Sequence, residues 1–281
     1  MSFKTITVFV DASTASAARL ETAVGLAAAQ GAHLVAVACT RQIDLGVYAM
    51  PGAEMAVDFS AIDRSREEAQ ALAAQVAAKM EAAGAGNDAR WASSIATGLS
   101  ETAARSARHS DLSVVGPAGG PGVDGEIADA VLEGTLFNSG RPVLMVPAGW
   151  TGASLGRTVM VAWDGSHVAA RAVHDALPFI ETADKVTIAI VDPDPGVDGT
   201  GEEPGADIAA VLARHGAKVE VQTLARAGAS VAERLQATAV EIGADLLVMG
   251  GYGHSRLREA IFSGVSRTVL EGPSVPVLIA H

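Results

Sequence analysis

A chain of 281 residues with 49% hydrophobic content has room for one or two well-filled cores. Its formal charge of −12 and isoelectric point near 5.0 exclude a general nucleic-acid or anionic-membrane surface, since both need basic patches. No apolar run is long enough to span a bilayer, and Met1 to Thr5 lacks the basic, apolar and small-residue succession of a secretory leader, so a cytoplasmic location is expected.

In chain order, strands are expected near 5–10, 33–39, 88–95, 112–116 and 142–147, with helices between them near 14–29, 60–83, 99–109 and 125–137. Cys39 is the sole cysteine, which rules out an internal disulfide. It closes the apolar run Leu34 to Ala38 and reads as a small core residue. Segment 40–58 is a long excursion after the second strand, a candidate lid or contact surface. Pro147 to Gly156 reads as a linker. Strands then recur near 157–163, 185–191, 217–225, 245–249 and 275–280, with helices near 167–180, 205–215, 229–242 and 256–271.

The two halves repeat one another. Asp111 to Gly116 (DLSVVG) recurs as Asp245 to Gly250 (DLLVMG), and Arg141 to Val146 (RPVLMV) as Val275 to Ala280 (VPVLIA), both 134 residues on. Thr7 to Ser13 (TVFVDAS) recurs 153 residues on as Met160 to Ser166 (MVAWDGS), so the first half is longer in its middle. Strands alternating with helices imply right-handed crossovers and parallel sheets. The fold expected is therefore α/β, two tandem doubly wound domains over 1–147 and 157–281, each an open five-stranded parallel sheet with helices on both faces. The two sheets are expected to be separate, with the final strands Pro142 to Val146 and Pro276 to Ala280 at the contact between them. Those apolar edges would otherwise be exposed.

Ligands of such sheets bind beyond the carboxyl ends of the strands, where the strand order reverses. In the second half this singles out Asp164, Gly165 and Ser166, the run Asp192 to Pro195, and the turn from Gly250 through Gly251 to Gly253. Glycines there let the backbone turn with positive φ and leave N–H groups open to an anion such as phosphate. Asp164 could accept from an adenine amino group or a ribose hydroxyl; equally, it could complement the N-terminus of the helix that Ser166 caps. Gly120 to Gly125 matches G-x-G-x-x-G but follows the fourth strand and has no acidic ribose partner, so a dinucleotide fold is rejected. No P-loop, metal-ligand spacing or catalytic triad is present.

A strand followed by Asp164, Gly165 and Ser166 is combined with a second cluster. That cluster is Met249, Gly250, two residues, Gly253, the nine residues His254 to Phe262, then Ser263, Gly264, Val265 and Ser266, ahead of a final Pro276 to Ala280 strand. This combination resembles the universal stress protein family, most of all its tandem members with two such domains in one chain. The resemblance implies ATP or another adenine nucleotide in the second half, with magnesium accompanying a triphosphate. Asp164 and Val186 would face adenine with Ala162 beside them, and Met249, Gly250, Gly253, His254, Ser263, Gly264, Val265 and Ser266 would surround ribose and phosphates. It also implies a non-enzymatic stress-response regulator, a pseudo-dimer within the chain, and a homodimer or protein partners beyond it. The family pattern has a third glycine where Ser263 stands and a hydroxyl residue where Gly264 stands. Ser263 therefore speaks for the nucleotide-free branch that dimerises and contacts partners, while Gly250, Gly253 and Asp164 speak for a nucleotide. Slow ATP hydrolysis is a third reading, without an identifiable base or metal ligand. In the first half Gly116 and Gly119 keep the first two glycines, but Asp129 to Leu132 replace the rest, and Asp124, Glu126 and Asp129 oppose a phosphate. Nucleotide is thus expected in the second half alone, near the basic Arg256 and Arg258.

Overall fold

The apolar runs of the first half form β1 (Thr5–Val10), β2 (His33–Arg41), β3 (Ala89–Ser94), β4 (Leu112–Val115) and β5 (Val143–Met145). Between them lie α1 (Ala15–Gln30), α2 (Ser60–Ala82), α3 (Ala96–Ala107) and α4 (Gly122–Asn138). The second half supplies β6 (Thr158–Ala162), α5 (His167–Asp175), α6 (Leu177–Ile180), β7 (Lys185–Val191), α7 (Ala206–Arg214) and β8 (Val219–Leu224). It continues with α8 (Val231–Glu241), β9 (Leu246–Gly250), α9 (Val265–Glu271) and β10 (Val277–Ala280). This computed structural model describes residues 2–42, 60–152, 154–193, 203–251 and 264–281, so the candidate lid beyond residue 42 lies outside the described residues.

Two helices depart from expectation. The helix expected over 167–180 breaks into α5 and α6, because Pro178 has no N–H to donate to the carbonyl of His174 and the ladder resets at Ala176. The helix expected over 256–271 begins, among the described residues, at Val265: Gly264 has φ of 108°, which no α-helical residue adopts.

The strand order is β3-β2-β1-β4-β5-β10-β9-β6-β7-β8. Within each half all pairings are parallel, giving the five-stranded doubly wound sheet read from the repeats. The expectation of two separate sheets is corrected. β5 and β10 pair antiparallel, with Val277 opposite Met145, Leu278 opposite Leu144 and Ile279 opposite Val143, and join the halves into one ten-stranded sheet. An apolar edge strand leaves a row of unpaired N–H and C=O groups, and pairing the two like edges satisfies both.

Because side chains alternate across a strand, the seam contributes to two cores. Leu144 and Leu278 enter the cluster on one face, which includes Ile6, Val8, Val161 and Ile188; Val143, Met145, Val277 and Ile279 enter the other, with Leu99, Val131, Leu235 and Val269. Phe3 of the first half also meets Phe179 of the second, ring centroids 5.5 Å apart. The segment read as a linker is packed down: Trp150 lies against the first core, and Gly156, at φ of 80°, sits so close to Phe179 that a Cβ would come within 2.5 Å of its ring.

The repeated aspartates have a structural task. Asp111 Oδ2 accepts the N–H groups of Lys4 and Thr5 at 2.7 and 3.0 Å. Asp245 does the same before β6, accepting from the backbone of Gly156, Arg157 and Thr158 and from the Ser154 hydroxyl at 2.9–3.1 Å. Each carboxylate ties the start of the fourth strand of its half to the start of the first.

Two outcomes are expected. Since both cores cross the seam, thermal unfolding should be one cooperative transition, and Val277→Asp with Ile279→Asp should destroy the folded signal of both halves together; calorimetry showing one intact half would contradict this. Asp245→Ala removes the acceptor of three backbone donors and should cost about 3 kcal/mol in denaturant unfolding.

Candidate functional site

In the second half the strand order reverses between β6 and β9, and Ala162 pairs with Met249 at that point. Asp164 lies beyond the end of β6, exposed, with Oδ1 accepting the Ser166 N–H at 3.0 Å. Ser166 Oγ in turn accepts the Ala169 N–H at 3.2 Å and caps α5. Capping therefore belongs to Ser166, while Asp164 shapes the turn and faces solvent. Gly250 is required beside it: a Cβ there would lie 2.5 Å from Ala169 N, so the start of α5 rests directly on the end of β9.

Ala162, Asp164, Met249 and Gly250 are thus brought together at one strand end. Val186 is not. It pairs with Val159 near the amino end of β7 and is fully buried, three residues below Ala189, the partner of Ala162, or about 10 Å along the strand. The carboxyl end of β7 offers Val191 and Asp192 instead. Asp192 has φ of 43°, and its carboxyl is held below the usual range by the Arg226 side chain, which donates to it at 2.6 Å. Val265 and Ser266 begin α9 after Gly264, whereas Gly253, His254 and Ser263, with Arg256 and Arg258, lie outside the described residues. Among the described residues no group of three or more His, Cys, Asp or Glu side chains could hold a metal ion.

The corresponding point of the first half is built differently. Asp11, the counterpart of Asp164, is buried against Arg19, whose Nη2 donates to Asp11 Oδ2 at 2.9 Å and to Ser16 Oγ at 2.7 Å; both charged side chains are 4% exposed. Ser16 Oγ also donates to Asp11 Oδ1, and the Ser13 N–H donates to the same oxygen. Burial pushes the Asp11 carboxyl up, but Arg19 and the Ser13 and Arg19 hydrogen bonds outweigh it, so the group lies below its ordinary value. Arg19 reaches under Gly116, where a Cβ would stand 2.8 Å from Nη1. At the 153-residue offset the second half has Ala172 in place of Arg19.

A cavity of 520 Å³ opens over this pair, closed on one side by Pro117 to Pro121 and on the other by Glu271 to Pro273 of the second half. The Ala118 N–H donates to the Leu270 carbonyl at 3.0 Å, fastening the two sides. Of the three acids expected to repel phosphate here, Glu126 pairs with Arg41 and Asp129 accepts the Gly119 N–H at 2.8 Å. Asp124 lines the cavity. Sequence reading missed Arg19, although a cation on the inner face of α1, aligned with Ala172, was the available signal. Cys39 is buried, and burial, with Asp11 nearby, pushes its thiol up to about 12, which suits a core residue and not a reactive one.

Two doubly wound halves of one sheet, each with a strand reversal, define a tandem α/β protein of the kind that takes ligands beyond its strand ends. Residues 156–281 match the model of the universal stress protein family. The second half belongs to that family, and the first half carries the same fold. A universal stress protein from Archaeoglobus fulgidus DSM 4304 is 22% identical, aligned over 98% of this chain and 95% of its own, with a TM-score of 0.74. A structure from Pseudomonas aeruginosa UCBPP-PA14, provisionally assigned to the same family, is 16% identical over 99% of this chain and 93% of its own, with a TM-score of 0.60. No curated protein matches the sequence. No described helix is long and apolar enough to cross a membrane.

The Asp11 and Arg19 pair sets a pH dependence. With the folded carboxyl below its unfolded value, its stabilisation is present above the ordinary aspartate pKa of 3.8 and is lost as pH falls through the folded value. Acid titration of unfolding should show this loss in the native protein, and Asp11→Asn should flatten that part of the curve.

Proposed function

We propose that the second half holds an adenine nucleotide at the carboxyl ends of β6 and β9, and that the protein is a non-enzymatic regulator with functional units 1–147 and 157–281. The observation that carries this reading is the contrast at one position of the repeat. Ala172 leaves Asp164 exposed at the strand reversal, where Arg19 buries its counterpart Asp11. An exposed carboxylate beside a glycine-lined strand end can accept from an adenine amino group or a ribose hydroxyl. The resemblance supplies the adenine nucleotide as the guest, with Met249 and Gly250 below it and Gly253, His254, Ser263, Val265 and Ser266 as the residues of the phosphate turn.

One observation favours a second reading, a nucleotide-free interaction module. Gly264 stands where the nucleotide-binding pattern carries a hydroxyl residue, and its φ of 108° is a conformation that side chains rarely adopt. A phosphate grip relying on a serine or threonine there is absent from this chain, so adenosine and its phosphates should differ less in affinity than the family pattern implies.

Thermal unfolding separates the two. A ligand at a hundredfold over its dissociation constant stabilises by about 2.7 kcal/mol, readily seen as a raised melting temperature. Millimolar ATP with magnesium should raise it in the native protein, and the rise should vanish in Asp164→Ala. No shift with ATP, ADP or adenosine would dismiss the nucleotide and leave the interaction module.

A further inference from the structure

The ten-stranded sheet ends in two edge strands, β3 and β8, and they are guarded unequally. Along an edge strand alternate residues turn their backbone groups to the neighbouring strand and the others turn them outward. The carbonyls of Lys218 and Leu224 accept the Val186 and Asp192 N–H groups, so the even-numbered residues of β8 face β7, and Val219, Val221 and Thr223 face outward. Among the described residues none of these three has a backbone partner. Val221 is 40% exposed, no proline or bulge interrupts the strand, and its one charged residue, Glu220, is neutralised by Lys185 at 2.8 Å. β3 differs, because two of its outward groups are already spent. The Ala89 N–H donates to the Asn87 carbonyl at 2.8 Å, and the Ser93 carbonyl accepts from Gln42 Nε2 at 3.1 Å. A free edge is a template for another strand, and proteins guard it with charge, proline, bulges or cover; β8 has none of these along its middle.

We propose that β8 is an interface for a second copy of this chain, the two β8 strands pairing antiparallel about a two-fold axis that passes between the two Val221 residues. This register sets outward residue against outward residue, Val221 against its own copy and Val219 against Thr223 of the other chain, so every free N–H and C=O of the three is satisfied. The side chains agree with it. Val with Val and Val with Thr are β-branched cross-strand pairs, and Glu220 comes opposite Gln222 of the other chain, whose amide can donate to the carboxylate. Neighbouring registers are worse. An axis at Glu220 opposes two carboxylates, and an axis at Gln222 carries Val219 past Leu224, the last residue of the strand it should pair with. The chain already uses this solution once, since β5 and β10 close their edges by antiparallel pairing. The proposal does not rest on a nucleotide in either half.

Sedimentation velocity on the full-length protein without added ligand, joined to disulfide trapping, tests it. The native protein should sediment as a dimer. Val221→Pro removes the central N–H, which points away from β7, so the variant should keep its circular dichroism while its dimer dissociates at least tenfold more readily. Val221→Cys should give a covalent dimer on mild oxidation, because directly opposed residues of a hydrogen-bonded antiparallel pair have Cα atoms about 5.5 Å apart, within reach of a disulfide. Val219→Cys should not, since its copy lies four residues further along, about 14 Å away. Cys39 is buried and does not compete. A native protein that stays monomeric as concentration is raised, a dimer unchanged by Val221→Pro in a folded variant, or equal trapping through Val219→Cys would overturn the proposal. Should Val221→Pro fail to fold, the contrast between the two cysteine variants decides alone.

Discussion

The antiparallel pairing of β5 with β10 is the constraint on which the rest of this molecule depends. Each half ends in a short, wholly apolar strand of three or four residues. A strand of that kind at a sheet edge exposes unpaired backbone groups beside apolar side chains, an invitation to aggregation. Joining the two edges pairs the backbone and, because residues alternate in facing, seals both hydrophobic cores across the same seam. The packed segment around Trp150 and Gly156 and the contact of Phe3 with Phe179 follow from that approach, since they lie where the halves are brought together.

The seam also determines what surrounds each strand reversal. With β10 beside β5, the end of α9 lies against the turn after β4, and Ala118 is hydrogen-bonded to Leu270. The cavity of the first half is therefore completed by the second. Within one fold, a single change on the first helix of each half, Arg19 against Ala172, then turns a buried ion pair into an exposed carboxylate. Desolvating a charge is expensive, and Asp11 is buried together with Arg19, whereas Asp164, at the position matched with Ala172, lies at the surface. The halves share an architecture and differ in chemistry.

Much of this was legible in the residues. The 134-residue spacing of Asp111 to Gly116 and Asp245 to Gly250 marks the same strand twice, and the alternation of apolar runs with helical stretches gives two five-stranded parallel units. Gly250 was singled out as a glycine at the strand end, but for the wrong reason: neither it nor Gly251 has the positive φ expected of a turn, and what excludes a side chain at Gly250 is the close approach of α5. Periodicity and turn chemistry are local facts that depend on near neighbours in the chain, whereas the demand at Gly250 comes from α5, about eighty residues earlier.

What only the tertiary structure decided involves partners distant in sequence. That two sheets become one depends on which edges meet, and Val143 to Met145 find Val277 to Ile279 more than a hundred residues away. Val186 reads as a site residue until the register of β7 against β6 places it at the buried end of the strand. The acids of the first half read as a repulsive patch, yet Glu126 is matched to Arg41 and Asp129 to the Gly119 backbone. The sequence by itself thus determined the elements, their duplication and the ends of the strands where chemistry can occur, because those rest on local patterning. Charge pairing, register and the joining of the halves were left to the tertiary structure, because each is a free-energy balance between groups that meet only when the chain has folded.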